Sequence, residues 1–343
     1  MTEAIQLVSA ADSKFAPGLI TALGSAVASA SGRFHYHISV IDGGLTGEDW
    51  DKLESCLSRI GTLKGLHVSL ARIPAAELSN PDMPMRRGSQ LTYSRLSIPC
   101  FLKVPKLVYI DSDILCLRGI EDFWTNLGHN ILVAARDPLG TISRDSFARG
   151  RLPSAKHGMP YFNAGIIGIN SERWSMPENQ RKIKALLPFA DQFRYADQSL
   201  LNCAFHDEWH EIPDINNQVL SLRNCAGLDT VHPAANFHYV GGQKPWLTGG
   251  SSAYRHPANL LFDKAYEWIS GEMAPGRSVN ERSLANVRRK IMLYRFFLRA
   301  RGREYAKIME TALQPEAIVD RLWEDWIARC EPKPGMGQQC EGV

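Results

Sequence analysis

Lys106-Leu107-Val108-Tyr109-Ile110 is apolar after its first residue and rich in β-prone side chains; Asp111-Ser112-Asp113 follows at once, and Ile114-Leu115-Cys116 then resumes the apolar pattern. A continuous apolar run bounded by polar residues is the pattern of a strand buried on both faces, as in a parallel sheet covered by helices. Ligands of such sheets collect at the carboxyl ends of the strands. Asp111 and Asp113 fall at that edge. Two carboxylates one residue apart repel each other unless something positive lies between them, and a divalent cation meets that need. A solvated strand end is the alternative.

Asp-x-Asp carries little on its own: with 18 Asp in 343 residues, about one match arises by chance. A second match, Asp49-Trp50-Asp51, follows Thr46-Gly47-Glu48. A Thr cap followed by acids reads as the first turn of a helix, so these carboxylates are expected to be solvated and to complement the helix dipole. The seven Cys are odd in number, scattered and form no Cys-x-x-Cys pair, which reads as reduced thiols in a cytosolic-type compartment and not as a disulfide framework or a zinc site. With no basic stretch leading into an apolar core at the start and no run of 18 apolar residues, neither a signal peptide nor a spanning helix is expected. A net charge of +3 excludes no class of partner.

Residues 4–10 read as a first strand, 17–31 as a helix, 35–41 as a second strand ending at Asp42-Gly43-Gly44, 47–60 as a helix and 66–70 as a third strand. Repeated strand-helix-strand order predicts an α/β fold with a mainly parallel sheet. The first strand runs into Ala11-Asp12-Ser13-Lys14-Phe15 as a nucleotide-binding βαβ unit would, yet Gly-x-Gly-x-x-Gly is missing, which argues against a dinucleotide fold. Asp12 has two readings: it caps the following turn, or it accepts a hydrogen bond from a base. His35 and His37 flank Tyr36 on what reads as a half-exposed strand face. Residues 91–97 read as a helix stopped before Pro99, and Arg95 on it is either a surface charge or a planar cation that orients one acid or meets a substrate hydroxyl. Residues 131–135 read as a strand turned out at Arg136-Asp137-Pro138. The polar, basic, non-periodic stretch 139–158 reads as a lid or binding loop.

In Tyr161-Phe162-Asn163-Ala164-Gly165-Ile166-Ile167-Gly168-Ile169-Asn170, the small pair Ala164-Gly165 interrupts an apolar strand and lets a backbone or a ligand approach closely. Asn163, able to donate and accept, suits neutral hydroxyls. Asp197-Gln198-Ser199-Leu200 reads as a helix start capped by Asp197. In Asn236-Phe237-His238-Tyr239-Val240-Gly241-Gly242-Gln243-Lys244-Pro245-Trp246, the paired glycines let backbone N–H groups approach an anion and Lys244 supplies compensating charge. His238 beside Asp111 and Asp113 gives a mixed nitrogen and oxygen ligand set that suits manganese(II) better than magnesium.

Six stretches, AADSKF, YSRL, LVYIDSDILC, YFNAGIIGIN, ADQSLLN and FHYVGGQKPW, met in this order over residues 5–246, together resemble glycosyltransferase family 8, the retaining, metal-dependent enzymes that include bacterial lipopolysaccharide galactosyl- and glucosyltransferases and glycogenin. The resemblance implies a GT-A nucleotide-sugar-binding fold, α/β, with a mainly parallel central sheet and helices on both faces. It implies UDP-galactose or UDP-glucose as donor and Mn2+, or else Mg2+, held by Asp111, Asp113 and His238. It places Asp12 as the acid that reads uracil, Gly241 and Lys244 at the diphosphate, and Ser112 and Ala164 along the donor. Arg95, Asn163, Asp197 and Gln198 become the catalytic surroundings of the donor sugar. Ser13 and Lys14 depart from the Asp-Asn pair common after the uracil acid in bacterial members. The implied activity is α-retaining transfer of a hexose to a saccharide or glycolipid acceptor. A self-glycosylating, glycogenin-like priming protein and an inactive nucleotide-sugar-binding protein are the alternatives.

Beyond the resemblance, residues 1–250 read as the catalytic domain and 251–343 as a mostly helical basic extension. Residues 277–307 hold ten Lys and Arg against two Glu, with Val287, Ile291, Tyr294, Leu298 and Tyr305 at helical spacings. This segment reads either as a helix for an anionic membrane surface, where lipid-linked acceptors would be met, or as a helix packed on the catalytic domain with a solvated basic face. The protein is expected in the cytoplasm, and the first reading places it peripherally at the inner face of the membrane. Nucleic acid is given no role.

Overall fold

In the computed structural model the described residues are 3–80, 83–85, 89–220, 235–241, 244–247, 257–275, 289, 292 and 316–331. The expected strands form as β1 (Ala4–Ala11), β2 (His35–Asp42), β3 (Val68–Pro74), β4 (Lys106–Ile110), β5 (Ile114–Cys116), β6 (Leu132–Thr141), β7 (Pro160–Asn170), β8 (Trp209–Ile212), β9 (Gln218–Val219) and β10 (Asn236–His238). Seven build the central sheet in the order β3-β2-β1-β4-β7-β6-β8, while β5, β10 and β9 form a small second sheet. The central sheet is parallel except for β7, which runs antiparallel to both β4 and β6. That reversal matters for the site. It brings the first half of β7 to the same edge as the carboxyl ends of β1 and β4, where the chain continues into Asp12 and Asp111.

The apolar run around Asp111 is two strands rather than one. β4 ends at Ile110, and β5 leaves the central sheet to pair antiparallel with β10, His238 opposite Ile114. The acidic pair therefore occupies the corner between two sheets, and the second sheet delivers His238 to it.

The helix Ala16–Ala28 is buried on nearly every face, as its small, apolar composition requires. It packs in one core with Ile5 and Leu7 of β1, with Leu261, Phe262 and Ile269 of the helix Pro257–Ser270, and with Leu322 and Trp326 of the helix Glu316–Cys330. Trp326 Nε1 donates to Ser29 Oγ (2.8 Å), which in turn donates to the Cys116 carbonyl (2.8 Å). Both described helices after residue 250 thus share one core with the first strand and the first helix. The basic segment 277–307 lies outside the described residues apart from 289 and 292.

Three local expectations are corrected. Pro99 does not stop a helix: residues 91–96 form a 3-10 helix, and Pro99 sits in the first turn of the short helix Ile98–Leu102, where its missing N–H is harmless. β6 does not turn out at Arg136; it continues to Thr141 with register shifts on either side of Arg136, and Pro138, which cannot donate to a ladder, lies in that irregular stretch. Residues 139–158 are not structureless. They carry a helix, Ser146–Arg151, capped by Asp145 through the Phe147 and Ala148 N–H groups.

Candidate active site

The site begins where β4 ends. The Asp111 N–H donates to the Gly165 carbonyl (2.7 Å), extending the β4–β7 ladder by one bond and fixing the first acid. Arg95 is buried beneath it, which removes the surface-charge reading. Its guanidinium donates to Asp111 Oδ1 (2.6 Å) and to the Ala164 carbonyl, pairs through Nε with Asp197 Oδ2 (2.7 Å), and lies 4.3 Å above the Tyr109 ring. A planar fork with five donors is suited to bridging two acids and a carbonyl at once. Burial alone would lower the affinity of Arg95 for its proton, but Asp111 and Asp197 raise it above its ordinary value.

Asp197 is not a helix cap. The helix Ala196–Ala204 is capped at Tyr195 without a side-chain bond, and Asp197 turns inward to Arg95. The chain enters that helix through Ala196 at φ +50°, a left-handed conformation that costs a non-glycine residue about 1 kcal/mol. The turn presents Asp197 and Gln198 together to β7. Gln198 Oε1 accepts from the Ala164 N–H (3.0 Å), and its Nε2 donates to Asp137 Oδ2 (3.1 Å).

Asp111, Asp113 and His238 each offer a ligand atom, and these atoms all lie within 4.8 Å of one another. His238 Nε2 stands 3.2 Å from Asp113 Oδ1 and 3.9 Å from Asp111 Oδ2. Asp113 Oδ1 is a buried oxygen with no hydrogen-bond partner, the state expected of a metal-ligand oxygen before its ion is added. Lys244 Nζ pairs with Asp113 Oδ2 and donates to the Tyr239 carbonyl (2.7 Å). Burial would raise the Asp113 carboxyl, but His238 and Lys244 outweigh it and hold Asp113 well below the usual carboxylate range. Burial raises Asp111; Arg95 opposes the shift and the Asp113 charge adds to it. Asp111 keeps 25 % of its side-chain surface exposed against 13 % for Asp113 and 7 % for His238, so the cluster opens on the Asp111 side.

The imidazole orientation is set from behind. His238 Nδ1 lies 3.2 Å from Asn163 Oδ1, which also accepts from the Gly165 N–H (2.8 Å) and from Asn217 Nδ2 (2.8 Å). Asn163 Nδ2 donates to Asp137 Oδ2 (2.8 Å). These partners fix which end of the Asn163 amide is oxygen, and an oxygen there requires the proton on Nδ1. Nε2 is then the ring nitrogen that faces the two acids, the one a metal would take. Gly165 makes room for this: a Cβ there would collide with the imidazole. The close approach expected at Ala164-Gly165 is that of His238.

Asp12 lies at the end of β1, where its Oδ1 accepts from the Lys14 and Phe15 N–H groups (3.0 and 3.2 Å). It caps the turn with one oxygen; among the described residues nothing donates to the other. Gly241 has φ +91°, a conformation that glycine adopts freely. Ser112 is buried between the two acids. The second Asp-x-Asp pair stays apart from the cluster: Asp49 completes a capping box with Thr46 and accepts from Ser13 Oγ (2.7 Å).

Sequence reasoning missed Asp137 and Asn217. Asp137 had been read as part of a turn, and it instead orients Asn163 and Gln198. No local pattern marks Asn217; its role exists only because β9 runs beside β10.

The architecture and this acidic corner define a GT-A glycosyltransferase. The family profile described as glycosyl transferase family 8 matches residues 6–249, and the chain belongs to that family. General stress protein A of Bacillus subtilis is 27% identical over 271 residues, spanning 74% of this chain and 91% of that protein. Lipopolysaccharide glucosyltransferase WaaO of Escherichia coli is 24% identical over 191 residues, spanning 48% of this chain and 49% of that one. Among solved structures, galactosyltransferase LgtC in complex with donor and acceptor sugar analogs superposes with a TM-score of 0.59 at 22% identity, covering 82% of this chain and 99% of that one. Family membership brings the reaction class: transfer of a sugar from a nucleotide-sugar donor to a glycan acceptor.

Proposed function

We propose that the protein is a retaining, metal-dependent hexosyltransferase that takes galactose or glucose from its UDP-sugar and forms an α-linkage on a saccharide or glycolipid acceptor. The observation that carries this reading is the convergence of Asp111, Asp113 and His238, ligand atoms within 4.8 Å, with the His238 tautomer fixed by Asn163. A divalent cation bound by these three, manganese by the nitrogen in the set, would stabilise the charge that develops on the departing diphosphate. Lys244 supplies a second positive group beside Asp113. Asp12 offers its remaining oxygen to uracil N3–H, a donor that cytosine lacks. Arg95 holds Asp111 and Asp197 in place. Gln198 is neutral and both ends of its amide are engaged, which makes it a poor nucleophile and favours front-face transfer, with Gln198 and Asp197 shaping the sugar's surroundings.

Residues 1–250 would carry the catalytic residues and 251–343 would be an extension whose two described helices pack into the same core, with 277–307 meeting an anionic membrane surface at the cytoplasmic face. No helix among the described residues is long and apolar enough to cross a membrane.

The deciding experiment is a panel of UDP-hexoses with free UDP as readout and mass spectrometry of the protein. Free UDP that appears only with Mn2+, is abolished by EDTA and is nearly lost in Asp113→Asn supports the reading. Full turnover in EDTA overturns it. Hexose added to the protein itself would indicate self-glycosylation, and no release with any donor would indicate a binding protein.

A further inference from the structure

Trp246 follows Lys244 by two residues. Lys244 reaches Asp113, while Trp246 is buried and its Nε1 donates to the Lys14 carbonyl (2.8 Å), inside the turn that Asp12 caps. The indole meets Phe15 edge-on, with ring centroids 5.7 Å apart, and packs on Phe262 at 5.1 Å. Gly18 completes the contact. A Cβ at this position would strike both the Ser112 carbonyl and the indole, so only glycine lets the first helix, the middle residue of the acidic pair and Trp246 meet. The same helix that carries Phe262 also receives Tyr239, whose hydroxyl donates to the Ala258 carbonyl and whose carbonyl holds Lys244. One indole therefore touches the Asp12 turn and the Gly18–Ser112 contact, and through Phe262 it packs beside Tyr239.

We propose that Trp246 is a positioning residue for the donor: it holds the base-reading turn and the diphosphate lysine as one unit, so that recognition of the base sets Lys244 in place for the phosphates. The proposal rests on the UDP-sugar reading above. The indole N–H links the Lys244–Leu247 turn to the Asp12 turn, and its loss is expected to loosen that link while each part stays folded. The Asp12 turn keeps its own caps, and Lys244 keeps Asp113 and the Tyr239 carbonyl.

The test is calorimetric titration of the full chain with uridine and with UDP, in Mn2+, for wild type, Trp246→Phe and Gly18→Ala, with thermal melts alongside. Phe keeps an aromatic ring between Phe15 and Phe262 and removes the N–H; Ala at position 18 pushes on the clasp from the other side. The quantity read is the advantage of UDP over uridine in Kd. Trp246→Phe is expected to shrink that advantage about tenfold, the worth of one hydrogen bond, while uridine affinity changes little, and Gly18→Ala is expected to move it the same way. A purely structural role would lower the melting temperature and leave the ratio alone. An unchanged ratio in folded Trp246→Phe overturns the proposal, and that variant decides alone if Gly18→Ala does not fold. A wild type that binds neither uridine nor UDP overturns the donor reading and the clasp with it.

Discussion

Asn163 Oδ1 faces His238 Nδ1 at 3.2 Å, and through that contact a residue expected to meet sugar hydroxyls also sets the ring of the proposed metal ligand. Removing the amide frees the ring to rotate and to change tautomer. Asn163→Ala is therefore expected to weaken Mn2+ binding by roughly 10- to 100-fold, measured by calorimetry without donor. Unaltered Mn2+ affinity would mean that the ring is held by packing alone.

Asp12 caps its turn with one oxygen and is proposed to read uracil with the other, and one substitution separates the two roles. Asn is as good a cap as Asp, so Asp12→Asn is expected to leave the melting temperature nearly unchanged. Its second atom becomes an N–H2 that opposes uracil N3–H, so KM for a UDP-sugar is expected to rise about tenfold, with kcat changing less. Discrimination against CDP-sugars should weaken in the same variant. If KM stays at its wild-type value, the carboxylate is a cap and nothing more.

The fold was legible because its signals are local. β1, β2, β4 and β7 follow from apolar runs, and the acidic corner follows from where β4 ends. The functional motifs were legible as a set, since each of the six is weak and their order is not. What could not be read is what tertiary contact decides. Asp197 has the sequence context of a cap, but Arg95, buried and 102 residues earlier in the chain, claims it. Asp137 looks like a turn residue until Asn163 and Gln198 arrive from other elements. The stretch 139–158 is pinned by the buried Asp145 together with Ile142, Phe147 and Ala148, which are too irregularly spaced to give a periodic pattern.

Asp49, in the Asp-x-Asp pair outside the cluster, gives a control with its own pH signature. Burial would raise its carboxyl, but bonds from Ser13 and Thr46 outweigh that and hold it below its ordinary value. Its folded value is thus lower than its unfolded one, so the stabilisation is complete above the unfolded value and is lost as pH falls through the folded one. Asp49→Ala is expected to cost about 1 kcal/mol at neutral pH, with the gap to wild type narrowing below about pH 4. Urea titrations at several pH values measure this. Asp51→Asn should leave both stability and activity close to wild type, whereas a large loss of turnover there would bring the second pair into the site.

Ser199 sits beside Gln198 and donates its hydroxyl to the buried Asp145, while accepting from the Tyr161 hydroxyl (2.7 Å) and the Tyr195 N–H (3.1 Å). Asp145 spends its other oxygen on two amides of the helix Ser146–Arg151. The pair therefore ties the stretch read as a lid to the helix that bears Asp197 and Gln198. Asp145→Ala removes a cap and strands the Ser199 hydroxyl, a combined cost of about 2 kcal/mol. Ser199→Ala alone strands one carboxylate oxygen and the Tyr161 hydroxyl. Because each substitution already breaks the shared bond, the double variant should lose less than the two single losses added together, by about 0.5 to 3 kcal/mol. Urea denaturation of the four proteins closes the cycle. Strict additivity would show that Asp145 and Ser199 stabilise their own elements independently, and that the stretch is anchored by something else.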